Sequence, residues 1–174
     1  MCGICGFTGQ VVDRDDVIRN MTEVITHRGP DSDGFFTDDY ISMGFRRLSI
    51  IDLDAGHQPI YNEDKSLVLT FNGEIYNYKE LRKVLIQKGH KFYTDTDSEV
   101  LVHGFEEWQE DLLPKLRGMF GFAIYNTKDK SVFIARDFFG IKPMHYTQIG
   151  EDFVYGSEIK SILEYPKFEK KFNR

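Results

Sequence analysis

Short runs rich in β-branched and aromatic side chains at residues 3–8 and 41–51 read as strands. Between them, Val17, Ile18, Met21, Val24 and Ile25 recur at spacings of three and four, which predicts a helix over Asp13 to Thr26. Ser66 to Phe71 is a further apolar strand that runs into Asn72-Gly73. Tyr78 to Lys88 carries Leu81, Val84 and Leu85 on one face and meets Gly89 just past its end, the pattern of a helix with its stop signal. Asp97 to Trp108 repeats the helical spacing with Val100, Leu101 and Phe105, and Thr96 or Asp97 stands where a cap belongs. The last third differs in character. Met119 to Tyr125, Ser131 to Arg136, His145 to Ile149 and Phe153 to Tyr155 are short runs separated by turn-forming residues, the spacing of antiparallel strands.

Helices early and strands together late predict an α+β fold with antiparallel sheet. The 174 residues suit one domain better than two, with no internal repeat and no linker. Lys167 to Arg174, charged and with two phenylalanines, reads as a frayed tail. Lys and Arg number 22 against 28 Asp and Glu, a net charge of −6, and the basic residues form no run of five. Nucleic acid is therefore not an expected partner, because phosphate binding needs a concentrated positive patch. No window approaches the roughly 18 apolar residues of a membrane span, and the N-terminus has no leader pattern. The expected location is cytoplasmic.

The two cysteines, Cys2 and Cys5, exclude a disulfide framework by number. A zinc site would need four ligands, and no second Cys-x-x-Cys or His-x-x-x-His string supplies the rest, so no metal is expected. The position of Cys2 is more informative. Removal of Met1 would leave a cysteine whose own α-amine is a base beside its thiol, and the two groups have reference pKa values within about one unit. Such a residue needs no histidine partner. The plainer reading makes Cys2 only the second residue of the chain and Cys5 a small buried side chain. Gly3 and Gly6 lack a Cβ and would let a substrate or a neighbouring strand approach.

Several strings together resemble one family. Cys2-Gly3-Ile4-Cys5-Gly6, His27-Arg28-Gly29-Pro30-Asp31, Arg47-Leu48-Ser49-Ile50, Phe71-Asn72-Gly73-Glu74-Ile75-Tyr76-Asn77 and Thr96-Asp97-Ser98-Glu99 resemble glutamine amidotransferases with an N-terminal cysteine nucleophile. Gly118-Met119-Phe120-Gly121-Phe122-Ala123, Arg136-Asp137 and Gly140-Ile141-Lys142-Pro143 are similar to the glutaminase half of asparagine synthetases. The resemblance covers residues 2–163. It implies a four-layer αββα sandwich of two antiparallel sheets, with residues 164–174 leading toward an absent synthetase domain.

The resemblance also implies roles. Cys2 would attack the side-chain amide of glutamine, and Asn72 and Gly73 would donate to the oxyanion of the adduct. Spacing alone favours a hairpin turn at Asn72-Gly73, and only the resemblance reverses that. Arg47 would fork onto the α-carboxylate and Asp97 would receive the α-ammonium, with Glu74 and Ile50 beside the same substrate. By sequence alone Arg47 is also compatible with a solvated strand charge, and Asp97 with a helix cap. Arg46 is expected to be uninvolved. His27 and Arg28 are expected to hold a loop that closes over the site, and Asp31 to Gly34 to form a turn.

The family's synthetase half opens with Ser-Gly-Gly-x-Asp-Ser, which is absent here, as is a Walker-type string. No cofactor is therefore expected for this domain; ATP and magnesium belong to the missing half. The expected partners are glutamine and a synthetase domain, in cis or as a separate subunit, with a homodimer possible. Sugar-phosphate, phosphoribosyl or antibiotic-type amide synthesis are alternative destinations for the ammonia, and a silent glutamine-binding module is a reading from another class.

Overall fold

A computed structural model describes residues 1–48 and 57–171. In chain order the elements are β1 (Gly3–Thr8), α1 (Arg14–Glu23), β2 (Ser32–Thr37), β3 (Ile41–Arg47), β4 (Ile60–Tyr61) and β5 (Leu67–Ile75). Then follow α2 (Tyr78–Gln87), α3 (Glu99–Trp108), β6 (Gly118–Asn126), β7 (Val132–Arg136), β8 (His145–Ile149), β9 (Asp152–Gly156) and α4 (Ile159–Leu163). They fall into two compact units, Met1–Leu48 with Pro143–Arg174, and Ser49–Lys142.

The first unit is a five-stranded sheet of order β2-β3-β1-β9-β8, every neighbouring pair antiparallel. On β1, Cys5 and Phe7 point at one face and join Val17, Ile18 and Met21 of α1 and Ile162 of α4 in one apolar cluster. The three-and-four spacing read from the sequence is the face α1 buries. Asp15 and Asp16 sit in its first turn, where the helix dipole favours them. The second unit is a four-stranded antiparallel sheet, β4-β5-β6-β7. Leu81 and Leu85 of α2 and Val100, Leu101 and Phe105 of α3 cluster with Leu69 and Phe71 of β5. Each unit is thus one sheet with one layer of helices, and the α+β expectation holds. No helix among the described residues is long and apolar enough to cross a membrane.

Gly89 ends α2 as expected. It takes φ +106°, its N–H bonds to the Ile86 carbonyl at 3.0 Å, and the His90 N–H bonds to the Leu85 carbonyl at 3.1 Å. That pair of bonds is a Schellman cap, which needs a residue tolerant of the left-handed region.

Three local readings of the sequence are corrected. Asn72-Gly73 is not a hairpin turn: β5 runs through it to Ile75, paired with β6 from Leu67↔Asn126 to Ile75↔Gly118. Asp31 to Gly34 is not only a turn, since β2 starts at Ser32 and pairs with β3. Neither Thr96 nor Asp97 caps α3, which begins at Glu99 with Ser98 at its N-cap and no side-chain cap bond. His27 and Arg28, expected to hold a loop, form a short 3-10 turn tied to other elements, as described below. The strand expected over 41–51 reaches Arg47, and its last three residues lie outside the described residues.

The turn after β7 is built on one carboxylate. Asp137, buried, accepts the backbone N–H groups of Phe120 at 3.2 Å, Phe139 at 3.1 Å, Ile141 at 3.0 Å and Lys142 at 3.0 Å. Burial pushes its carboxyl up, but these donors outweigh burial and hold it below the usual carboxylate range. The folded pKa is depressed, so this stabilisation is present above the unfolded carboxyl's value and is lost as pH falls through the folded one. Asp137→Ala should cost roughly 3 kcal/mol by stranding several N–H groups. Thermal melts at neutral pH should show Tm lowered by about 6–12 °C, with the gap to wild type narrowing in acid.

Candidate active site

In the first unit, Gly3 faces Arg46 in the β1/β3 register, so Cys2 and Arg47 lie one residue beyond that pair on adjacent strands. The Cys2 thiol is partly exposed and lies 3.9 Å from the Leu48 carbonyl. Its backbone is held from the side: Arg28 Nε donates to the Cys2 carbonyl at 3.0 Å, and Arg28 Nη1 donates to Glu158 Oε1 at 3.0 Å. Glu158 also takes His27 Nε2 at 2.9 Å and Lys160 Nζ at 3.2 Å. Burial raises the Glu158 carboxyl, but the bonds from Arg28, His27 and Lys160 outweigh it and bring it down to about 2. One residue further, Ile4 N–H donates to Ser157 Oγ at 3.0 Å and the Ile4 carbonyl accepts the Ser157 N–H at 2.8 Å.

Arg28 can reach the start of β1 because residue 3 is glycine. A Cβ there would meet Ile25 Cδ1 at 2.9 Å and Arg28 Cδ at 3.3 Å. At Gly6 a Cβ would meet the Tyr155 ring at 2.5 Å. Both glycines therefore make room for the chain's own side chains. Arg47 is buried, and Arg46 is committed to Asp33 at 3.1 Å and Glu23 at 3.6 Å.

The two thiols have opposite surroundings. Cys5 is fully buried against Thr22 Oγ1 at 3.3 Å, and burial pushes its thiol up to about 12 despite that hydrogen bond. Such a thiol is inert near neutral pH.

In the second unit, the end of β5 presents three successive functional groups. Phe120 uses its N–H toward Asp137 Oδ2 and its carbonyl toward the Asp137 N–H, both on the β7 side. Its partner on β5, Gly73, therefore belongs to a pair without ladder bonds, and its N–H points to the opposite edge. On that edge the Phe71 N–H goes to Gln58 Oε1 at 2.6 Å and the Ile75 N–H to Asp97 Oδ2 at 2.7 Å, with the Gly73 N–H between them. Gly73 is required by closeness: a Cβ would stand 2.3 Å from the Met119 carbonyl oxygen and 2.8 Å from Phe120 Cα. Beside it, Asn72 is buried, and its Nδ2 has no hydrogen-bond partner among the described residues. A buried amide donor left unpaired costs about 1–3 kcal/mol, so its retention points to a ligand oxygen.

Asp97 is brought to Asn72, Gly73 and Glu74 by its bond to Ile75. Burial pushes its carboxyl up, the Ile75 N–H partly opposes that, and the Glu74 carboxylate adds to the rise. A carboxylate raised by burial and by a neighbouring negative charge is relieved by a cation beside it. Cys2 and Arg47 belong to the first unit, Asn72, Gly73, Glu74 and Asp97 to the second. Ile50 lies outside the described residues. Sequence reasoning missed Ser157 and Glu158 as holders of the N-terminus, since both meet it only through folding.

A family model described as a glutamine amidotransferase domain matches residues 1–174. The chain is 48% identical over 168 residues to glutamine-hydrolyzing asparagine synthetase 1 of Bacillus subtilis (strain 168), covering 92% of this chain and 27% of that protein. It is 43% identical over 169 residues to glutamine-hydrolyzing asparagine synthetase of Zea mays, covering 94% and 28%. The chain thus spans little more than a quarter of these relatives' length. Among solved structures, glutamine phosphoribosylpyrophosphate amidotransferase from B. subtilis superposes with TM-score 0.76 at 20% identity, over 92% of this chain and 43% of that one. The structure of the allosteric regulatory enzyme of purine biosynthesis gives 0.78 at 21%, over 94% and 43%. At those identities the likeness shows a shared fold.

Treatment of the folded chain with a thiol-alkylating reagent should modify Cys2 and leave Cys5 untouched until denaturant is added, as read by peptide mass spectrometry. Equal labelling of both under native conditions would contradict the environments described. Match and motifs agree on one assignment: the chain belongs to the glutamine amidotransferase domain family.

Proposed function

We propose that this chain hydrolyses glutamine to glutamate and ammonia, with Cys2 as nucleophile. The single observation that carries the reading is the buried Asn72 Nδ2, without a partner among the described residues, next to the outward-pointing Gly73 N–H, a donor pair suited to an oxyanion. Removal of Met1 would expose the Cys2 amine, which takes the thiol proton. The thiolate attacks the side-chain carbonyl carbon, and the oxygen, now negative, receives hydrogen bonds from Asn72 and Gly73. The ammonium at Cys2 returns its proton to the departing nitrogen as the carbon–nitrogen bond breaks. Ammonia leaves a glutamyl thioester, and water, deprotonated by the same amine, cleaves it to glutamate and regenerates the thiol. Arg28 acts as a positioning residue through the Cys2 carbonyl. Arg47 is proposed to fork onto the substrate α-carboxylate, and Asp97 with Glu74 to receive the α-ammonium, since neither charge can enter a dry site unpaired.

The ammonia is proposed to serve amide synthesis on aspartate by a synthetase domain, in cis or as a separate subunit. Support comes from relatives named glutamine-hydrolyzing asparagine synthetases that extend well beyond the matched region. ATP and magnesium are assigned to that domain, and none of the steps above needs a cofactor.

Glutamate release from glutamine tests the reading. Cys2→Ala should abolish it in a folded protein, and undiminished release would sink the assignment. Asn72→Ala should lower kcat by about 10²–10³-fold with little change in KM, as loss of one oxyanion donor does; a change in KM alone would contradict that role.

Asp97→Asn keeps an acceptor for the Ile75 N–H but removes the charge. KM for glutamine should rise by about 10–100-fold, the worth of a charge-assisted hydrogen bond. In the wild type, KM should rise as pH falls through the raised Asp97 pKa, and the variant should lose that limb. A folded pKa above the unfolded one means the ionised carboxylate weakens the fold at neutral pH. The same variant should therefore melt at equal or higher temperature, and a large drop in Tm would argue for a structural role instead.

A further inference from the structure

Four residues outside the machinery described above converge in the second unit. Glu63 follows β4, His90 is set by the Schellman cap of α2, and His103 and Glu106 lie one turn apart on one face of α3. One ligating atom from each lies within 4.8 Å of all the others. His103 Nδ1 stands 3.2 Å from Glu63 Oε2, and His90 Nδ1 stands 3.2 Å from Glu63 Oε1 and 3.9 Å from Glu106 Oε2.

His103 is held from behind. Its Nε2 faces Glu99 Oε1 at 3.3 Å, and the Glu99 carboxylate, itself fully buried, also accepts the N–H groups of Tyr93 at 2.8 Å and Thr94 at 2.7 Å. Those bonds hold the Glu99 carboxylate against Nε2, which orients the ring with Nδ1 toward Glu63. His103 is fully buried, and its Nδ1 has no hydrogen-bond partner among the described residues; the nearby Glu63 oxygen is not aligned for one. A cation seated between that Nδ1 and the Glu63 carboxylate, 3.2 Å apart, would bond to both.

We propose that Glu63, His90, His103 and Glu106 form a binding site for a divalent transition metal of the zinc type. Two imidazoles select such ions over calcium or magnesium, which prefer all-oxygen sites. Tetrahedral ligands about 2.1 Å from zinc stand roughly 3.4 Å apart, so closing the site takes contraction of the two partly exposed glutamates. The outer contacts that orient metal ligands are in place for all four. Glu99 backs His103; Glu107, 3.5 Å from His90 Nε2 and held by Lys88 at 2.7 Å, backs His90. Asn62 Nδ2 donates to Glu106 Oε2 at 3.1 Å, and the Lys91 N–H donates to Glu63 Oε1 at 2.8 Å. The bound ion fastens the β4–β5 connection and the end of α2 to α3.

Cobalt(II) serves as the spectroscopic probe and zinc as the thermodynamic one, on the 174-residue chain stripped with a chelator and dialysed. One equivalent of cobalt should give the visible absorption of a tetrahedral site, and zinc at a hundredfold excess over Kd should raise Tm by about 5–10 °C. Glu63→Gln and His90→Asn, both at partly exposed positions, should weaken binding at least tenfold while the metal-free variants stay folded by circular dichroism. Absence of the cobalt band together with an unmoved Tm would overturn the proposal. So would variants that bind as tightly as wild type, which would place the ion elsewhere on this acidic chain.

Discussion

A residue at the very start of a chain can act as a nucleophile only if the terminus is prevented from fraying. Here the restraint is the Arg28 guanidinium, which grips the Cys2 carbonyl with one nitrogen and Glu158 with another. Glu158 lies more than 150 residues away in the chain, just past β9, and the neighbouring Ser157 clasps Ile4 from both sides of its peptide unit. The first and last thirds of the chain are therefore locked together at the point where the chemistry is proposed. Gly3 is part of the same device, because any side chain there would push Ile25 and Arg28 away.

The second unit contributes groups that the protein leaves dissatisfied. Asn72 Nδ2 is buried with no partner among the described residues, and burial and the Glu74 charge hinder the ionisation of Asp97. Under the proposed function, each is a cost that a substrate oxygen or ammonium would relieve. The rigid part of the arrangement is the strand itself. Asp137 on one side and Gln58 and Asp97 on the other consume the neighbouring backbone groups of β5 and β6, so the edge N–H of Gly73 is presented in a fixed direction.

Much of the secondary structure was legible because burial imposes a period. The face of α1 at Val17, Ile18 and Met21, the Gly89 stop and the four late strands all follow from spacing or from turn chemistry. The failures have a common cause. β2 carries Asp33 and Gly34 and owes its existence to pairing with β3, which no local propensity reveals. Asn72-Gly73 has the strongest local preference for a turn, and nine consecutive pairings with β6 override it. Asp97 looked like a cap since caps are local, whereas its partner is the Ile75 N–H, 22 residues earlier.

By itself the sequence determined which groups are available and in what order: a cysteine at position 2, the motifs that place the chain in its family, and a composition without a basic patch or a membrane span. It determined these because they depend on residue type and spacing alone. Only the tertiary structure decided what each group experiences. Cys5 has the same side chain as Cys2 three residues away, yet packing against Thr22 and α1 removes it from water and from chemistry. Glu63, His90, His103 and Glu106 show no ligand spacing along the chain and meet only through folding. Solvation and electrostatic environment are made by neighbours in space, and those neighbours come from distant parts of the chain.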